Sequence, residues 1–220
     1  MKSIILIAPP AAGKGTEAEQ IKAAYNMPSI STGDLLRDVV KGTSEQAETI
    51  RQILNSGALV PDEIVLELLK TRISQTDCEN GYILDGFPRN VSQAEAYDKI
   101  LEEMNRDAGL VIVLDIDKEI AKSRISGRFT CPTCKRIYNI NTGDMTPKKS
   151  GLCDDCNVEL IQRSDDNPET YDERYNTYLE KTEPLISYYD KKGIVYHVDS
   201  STSPSATHAQ VVKILGEYND

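Results

Sequence analysis

Two stretches of the chain are apolar without interruption, Ile4-Ile5-Leu6-Ile7 and Leu110-Val111-Ile112-Val113-Leu114. Strands with one wet face alternate apolar and polar residues, so unbroken runs predict strands covered on both faces. Shorter strand candidates are Pro28-Ser29-Ile30-Ser31, Gly81-Tyr82-Ile83-Leu84-Asp85 and residues 194–198. Between these runs the apolar residues fall at helical spacing. A helix is expected over residues 14–25, a polar one over 43–56, and another after Pro61 with Ile64, Val65, Leu68, Leu69 and Ile73 on one face. Asn90 starts a further helix striped with Ala94, Tyr97, Ile100, Leu101 and Met104, and Asp117 starts the next. Asn167 and Pro168 read as cap and first turn of a helical region with Tyr171, Tyr175, Tyr178 and Leu179 as its core stripe, closed by Lys191-Lys192-Gly193. A last helix covers residues 205–217. This alternation predicts an α/β fold with a parallel sheet of about five strands and helices on both sides.

Residues 129–160 break the pattern, being poor in large aliphatics and rich in turn formers. With 220 residues the chain is long for one simple domain and short for two large ones, which suits a core carrying inserted modules. The formal charge of −10 speaks against general nucleic-acid binding, which gains from a basic face. No apolar run reaches membrane-spanning length, and Met1-Lys2-Ser3 leads straight into a strand, so a cytoplasmic protein without a membrane partner is expected. Nothing in the sequence suggests more than a monomer.

The joint between the first strand and the first helix carries chemistry. It reads Ala8-Pro9-Pro10-Ala11-Ala12-Gly13-Lys14-Gly15-Thr16. Free N–H groups and the dipole at a helix start hold an anion, Lys14 can follow a β- or γ-phosphate, and the Thr16 hydroxyl can approach magnesium. The match to the phosphate-loop pattern is imperfect, because Ala8 stands where the first glycine belongs. An alanine in such a loop is harmless at negative φ and strained at positive φ. Asp85 and Arg89 follow another strand and should arrive at the same sheet edge, where Asp85 can hold magnesium through water and Arg89 can clamp a phosphate. Arg124 and Arg128, read as one turn apart on a helix, point at something anionic. Cys131-Pro-Thr-Cys134 and Cys153-Asp-Asp-Cys156, eighteen residues apart, have the spacing of a closed tetrahedral zinc site. Iron–sulfur ligation and a redox dithiol are competing readings of that spacing. Cys78 is assigned no role.

In this order the motifs resemble adenylate kinases of the bacterial long-lid type. The resemblance rests on Gly13-Lys14-Gly15-Thr16, Ser31-Thr32-Gly33-Asp34-Leu35-Leu36-Arg37, Gly57-Ala58-Leu59-Val60-Pro61-Asp62, Asp85-Gly86-Phe87-Pro88-Arg89 with Gln93, Gly127-Arg128, the cysteine pairs, and Arg163 through Arg174. It implies a P-loop NTPase-type core of residues 1–30, 61–126 and 165–220, an AMP-binding module at 31–60 and a zinc-bearing lid at 127–164. It also implies reversible phosphoryl transfer from magnesium-bound ATP to AMP, giving two ADP. Ala11 stands where the family has a further glycine. By the resemblance, Ala11, Ala12, Gly13, Lys14, Gly15 and Thr16 hold the ATP phosphates, with Arg128, Ile137 and Tyr138 around them and Arg124 against the adenine. Thr32, Arg37, the backbone at Ala58, Leu59 and Val60, Gly86, Arg89 and Gln93 surround AMP. Arg163 and Arg174 reach the transferred group, and Asp165 and Asp166 pair with arginines on closure. Gln93 matches the edge of adenine and of cytosine alike, so Thr32 is what favours AMP.

Overall fold

The computed structural model describes residues 2–55, 60–162 and 166–219, with the side chains of Asp34, Arg37, Gln46, Leu54, Asn55, Glu169 and Asn219 outside the description. Five strands, β1 (Ile4–Ile7), β2 (Ser29–Ser31), β3 (Ile83–Asp85), β4 (Leu110–Asp115) and, late in the chain, β7 (Val195–Asp199), form one parallel sheet. Its order is β2-β3-β1-β4-β7. The chain thus moves to one side of β1 and then to the other, making the carboxyl end of β1 a switch point where a crevice opens.

The unbroken apolar runs have the expected cause. Ile5, Ile7, Val111 and Val113 pack on one face with Leu84, Leu69, Tyr97, Leu101 and Tyr189, whereas Ile4, Leu6, Ile112 and Leu114 pack on the other with Ile21, Val211 and Leu215. Successive side chains point to opposite faces, and both faces are dry. The first layer draws on α4 (Asp62–Ile73), α5 (Val91–Glu103) and α8 (Pro184–Asp190), the second on α1 (Lys14–Tyr25) and α9 (Pro204–Asn219). The remaining helices are α2 (Thr32–Val39), α3 (Glu45–Asn55), α6 (Lys118–Ser126) and α7 (Pro168–Thr177).

Side chains cap the helices where the sequence places them. Asn90 accepts from the Gln93 N–H, Asp117 from those of Glu119 and Ile120, and Asn167 from that of Thr170.

Two expectations need correction. Arg124 and Arg128 do not share a helix. α6 stops at Ser126, and Arg128 opens β5 (Arg128–Thr130), which pairs antiparallel with β6 (Ile137–Asn139). The last carbonyls of α6 are taken from outside: Asn141 Nδ2 donates to Ser123 O at 2.7 Å, Asn139 Nδ2 to Arg124 O at 2.8 Å and Gln162 Nε2 to Ser126 O at 2.9 Å. These bonds satisfy carbonyls that a longer helix would have paired internally. The helical region from Pro168 is also interrupted, by a π-helical turn at Tyr178–Thr182 closed by Glu183 N–H to Tyr178 O. Pro184 has no N–H to continue an α-helical ladder, and its ring crowds the carbonyl four residues back, so the turn widens there. Of the tyrosine stripe, Tyr171 is buried, but Leu179 is exposed.

Candidate active site

The phosphate loop runs from β1 into α1. Gly13 caps the helix at φ +97°, a left-handed conformation that suits glycine. Ala11 also lies in the left-handed region, at φ 62°, whereas Ala8 is not among the described positive-φ residues. The strain that the sequence left conditional is therefore present at Ala11. An L-residue there gives up about 1–2 kcal/mol. Lys14 Nζ lies 3.2 Å from Asp85 Oδ1, so the strand-end carboxylate balances the loop cation. One turn into α1, Glu17 is buried and bonded to His208 Nδ1 of α9 at 2.8 Å, while its second oxygen has no partner among the described residues. Burial pushes the Glu17 carboxyl up, against the pull of His208.

The loop forms the floor of a cleft of about 1070 Å³. That is at the top of the usual range for a ligand site, about 300–1,000 Å³. Lys14, Asp85, Gly86, Arg89, Arg124, Arg128, Ile137 and Arg174 all line it, with Ala11 to Thr16. Arg128 donates Nε to Asp166 Oδ2 at 2.8 Å and pairs with the other oxygen through Nη2, and Arg174 Nη1 lies 3.7 Å from the same carboxylate. Asp166 is 4 % exposed, so two guanidinium groups share one buried anion. Arg124 is held edge-on by the carbonyls of Ser200, Ser201 and Thr202 at 2.7, 2.9 and 3.0 Å. Ile137 Cδ1 reaches over the loop, within 3.8 Å of where a Cβ on Gly15 would lie.

Other expected residues sit elsewhere. Tyr138 is turned away from the cleft, because neighbours along β6 face opposite ways. It is buried among Cys131, Cys153 and Leu160, and its hydroxyl contacts Cys153 Sγ at 3.4 Å. Thr32 is buried with its hydroxyl 3.4 Å from Gly86 O, Val60 is buried in the core, and Gln93 is bonded to protein at both ends of its amide. Ala58, Leu59, Arg163 and Asp165, and the side chain of Arg37, lie outside the described residues.

The four cysteines converge. Their Sγ atoms all lie within 4.8 Å of one another, and Cys134 and Cys153 are 3.6 Å apart. Four sulfurs around zinc at about 2.3 Å stand about 3.8 Å apart, so the cluster fits that metal. Each pair forms the same knuckle. The N–H of the second cysteine points at the sulfur of the first at 3.4 Å, and the next residue, Lys135 or Asn157, takes φ 64° or 52°. The Tyr138 hydroxyl bond, the largest influence on it, pulls the Cys153 thiol down to about 6, toward the thiolate a metal needs. With four protein ligands no coordination position is left open, so a metal here is structural.

A family model described as adenylate kinase matches residues 6–194. A protein named adenylate kinase from Thermotoga petrophila is 45 % identical over 217 residues, 98 % of either chain. The chain belongs to the adenylate kinase family. Proteins of that name from Archaeoglobus fulgidus and Caldicellulosiruptor bescii are 43 % and 42 % identical, over 97 % of this chain and 97 % and 98 % of theirs. As a member of the adenylate kinase family it is a nucleoside monophosphate kinase, a phosphotransferase.

In this member of the adenylate kinase family several contacts that shape the site carry no signal in the sequence. Asn139, Asn141 and Gln162 act on carbonyls at least fifteen residues away, and Asp62 reaches Gln93 across thirty-one. Thr182, whose hydroxyl donates to Arg89 O at 3.0 Å, does so across ninety-three. Such contacts follow from tertiary placement alone. Among the described residues no helix is long and apolar enough to cross a membrane.

Proposed function

We propose that the chain transfers the γ-phosphoryl group of ATP to AMP within this cleft, giving two ADP. The observation that carries the reading is the convergence of Lys14, Arg89, Arg128 and Arg174, from four separate segments, on one cleft floored by a phosphate loop. Phosphoryl transfer asks for alignment and for cations around spreading oxygen charge. Arg163 and Arg37 would add to the set. No general base is needed, because the AMP phosphate is already an anionic nucleophile.

On ATP binding, Lys14 moves from Asp85 to the phosphates, and the N–H groups of residues 13–16 take the β-phosphate. Magnesium bound with ATP, held by Thr16 and through water by Asp85, would neutralise phosphate charge. Arg128 and Arg174 stay anchored on Asp166, which aligns them, and offer their remaining N–H donors to the transferring group. The three carbonyls use the edge of Arg124 and leave its flat face for the adenine of ATP. Ile137 closes over the phosphates, and Cys131, Cys134, Cys153 and Cys156 would hold a structural zinc that stiffens residues 127–164 as a lid. Residues 31–60 form the AMP module, with Thr32, Arg37, Ala58 to Val60, Gly86, Arg89 and Gln93 about the nucleotide. Closure of both modules completes the cation set and expels water that would hydrolyse ATP. The reading includes a cytoplasmic monomer, whose net charge of −10 suits neither nucleic acid nor an anionic membrane as partner.

Arg174→Met tests it. The turnover number for ADP formation should fall about 10²–10³-fold, as when one transition-state donor is removed. A fall of less than about fivefold would place Arg174 outside the transferring group's shell.

A further inference from the structure

One polar cluster, centred on the buried Gln93, is left unused by phosphate chemistry. Gln93, on the first turn of α5 and 7 % exposed, accepts the Arg89 backbone N–H on Oε1 at 2.8 Å and donates from Nε2 to Asp62 Oδ1 at 2.6 Å. A primary amide has two N–H donors and two acceptor lone pairs, so one of each stays available for a ligand. The two protein partners are not interchangeable. A backbone N–H only donates, and an ionised carboxylate only accepts. Turning the amide by half a revolution would set its oxygen against Asp62 and its NH₂ against the Arg89 N–H. Two half-buried hydrogen bonds would become two like-polarity contacts.

This lock matters for the base. Adenine and cytosine present an exocyclic amino donor beside a ring-nitrogen acceptor. Hypoxanthine, guanine and uracil present a carbonyl acceptor beside a ring N–H donor. A glutamine free to flip serves either set, whereas a locked one serves a single set. We propose that Asp62 is a positioning residue that sets the base selectivity of the monophosphate site, by fixing the Gln93 amide in the orientation that reads an amino base and rejects a keto base. This rests on the reading that places Gln93 at the base of AMP. Asp62 also opens α4, where a carboxylate favours the helix dipole, so loss of stability alone would not distinguish the two roles.

The test is the ratio of kcat/KM for AMP to that for inosine monophosphate, which differs from AMP only in the amino-for-keto exchange at this edge. An asparagine at 62 can meet the Gln93 amide in either orientation. Asp62→Asn should therefore lower the ratio by about tenfold or more, mainly by raising the inosine value, as expected when one buried mismatch is relieved. A ratio within about twofold of the parent enzyme's would overturn the proposal, on the same hydrogen-bond scale. Gln93→Ala separates the two layers. If it raises the KM for AMP about tenfold while Asp62→Asn leaves the ratio unchanged, Gln93 reads the base and the lock is wrong. If Gln93→Ala leaves the KM for AMP unchanged, the placement of Gln93 fails and the lock falls with it.

Discussion

At the scale of single residues, the phosphate loop was legible in kind but not in strain. Gly13-Lys14-Gly15-Thr16 announces an anion site because few other uses exist for that sequence at a strand-to-helix joint. Whether its alanines matter depends on φ, which no sequence prints. Ala8 escapes the left-handed region and Ala11, at φ 62°, does not. Ala11→Gly should accordingly raise unfolding free energy by about 1 kcal/mol, because the relief of a left-handed Cβ outweighs the extra freedom glycine gives the unfolded chain. Denaturant titration measures it, and equal or lower stability would show that the loop bears no such strain. The N–H groups proposed to cradle phosphate come after Ala11, so turnover should change by less than about tenfold. The arginines were legible as types, and their shared anchor Asp166 was expected to pair with arginines through the family resemblance. The grip of Asp62 on Gln93 was not, since it joins two helices through side chains.

At the scale of elements, the parallel strands were readable because burial on both faces leaves an apolar run in the sequence. Helix starts were readable because Asn90, Asp117 and Asn167 cap them locally. Some helix ends were readable too, since α1 stops at Tyr25 and α8 just before Lys191-Lys192-Gly193, but two were not. α6 ends where Asn139, Asn141 and Gln162 from the zinc-binding segment take its carbonyls, and the helix from Pro168 is widened by Pro184. The same three side chains dock the small sheet on the core. A Cβ at Gly127, between the two, would fall 2.7 Å from Asn139 Oδ1, so the joint is close-packed. The hydrophobic cluster of this segment has only four buried members among the described residues, Cys131, Tyr138, Cys153 and Leu160, too few to hold it together by burial. Metal has to supply the difference. A strong chelator at neutral pH should release one equivalent of zinc per chain and lower the melting temperature by roughly 10 °C, the shift of a few kcal/mol in a chain of this size. Metal analysis with calorimetry checks this. An unchanged melting temperature after complete removal would assign the cysteines another role.

At the scale of the whole molecule, the parallel sheet sends the carboxyl ends of all five strands to one edge. That edge gathers the loop after β1, Asp85 and Arg89 after β3, Arg124 on α6 and the zinc-binding segment above them. Cations from distant parts of the sequence meet only once the chain is folded, and the cleft they line is at the top of the size range of ligand sites. Two nucleotides facing each other across a single phosphoryl group account for both facts. The most direct measurement is ADP formation from ATP and magnesium with AMP, CMP, UMP or GMP in turn, alongside Lys14→Ala. Rapid ADP formation with AMP, far slower formation with the keto-base monophosphates, and loss of activity in the lysine variant are the expected results. Tight ATP binding without ADP formation from any monophosphate would contradict the account, leaving a nucleotide-binding protein with a kinase fold.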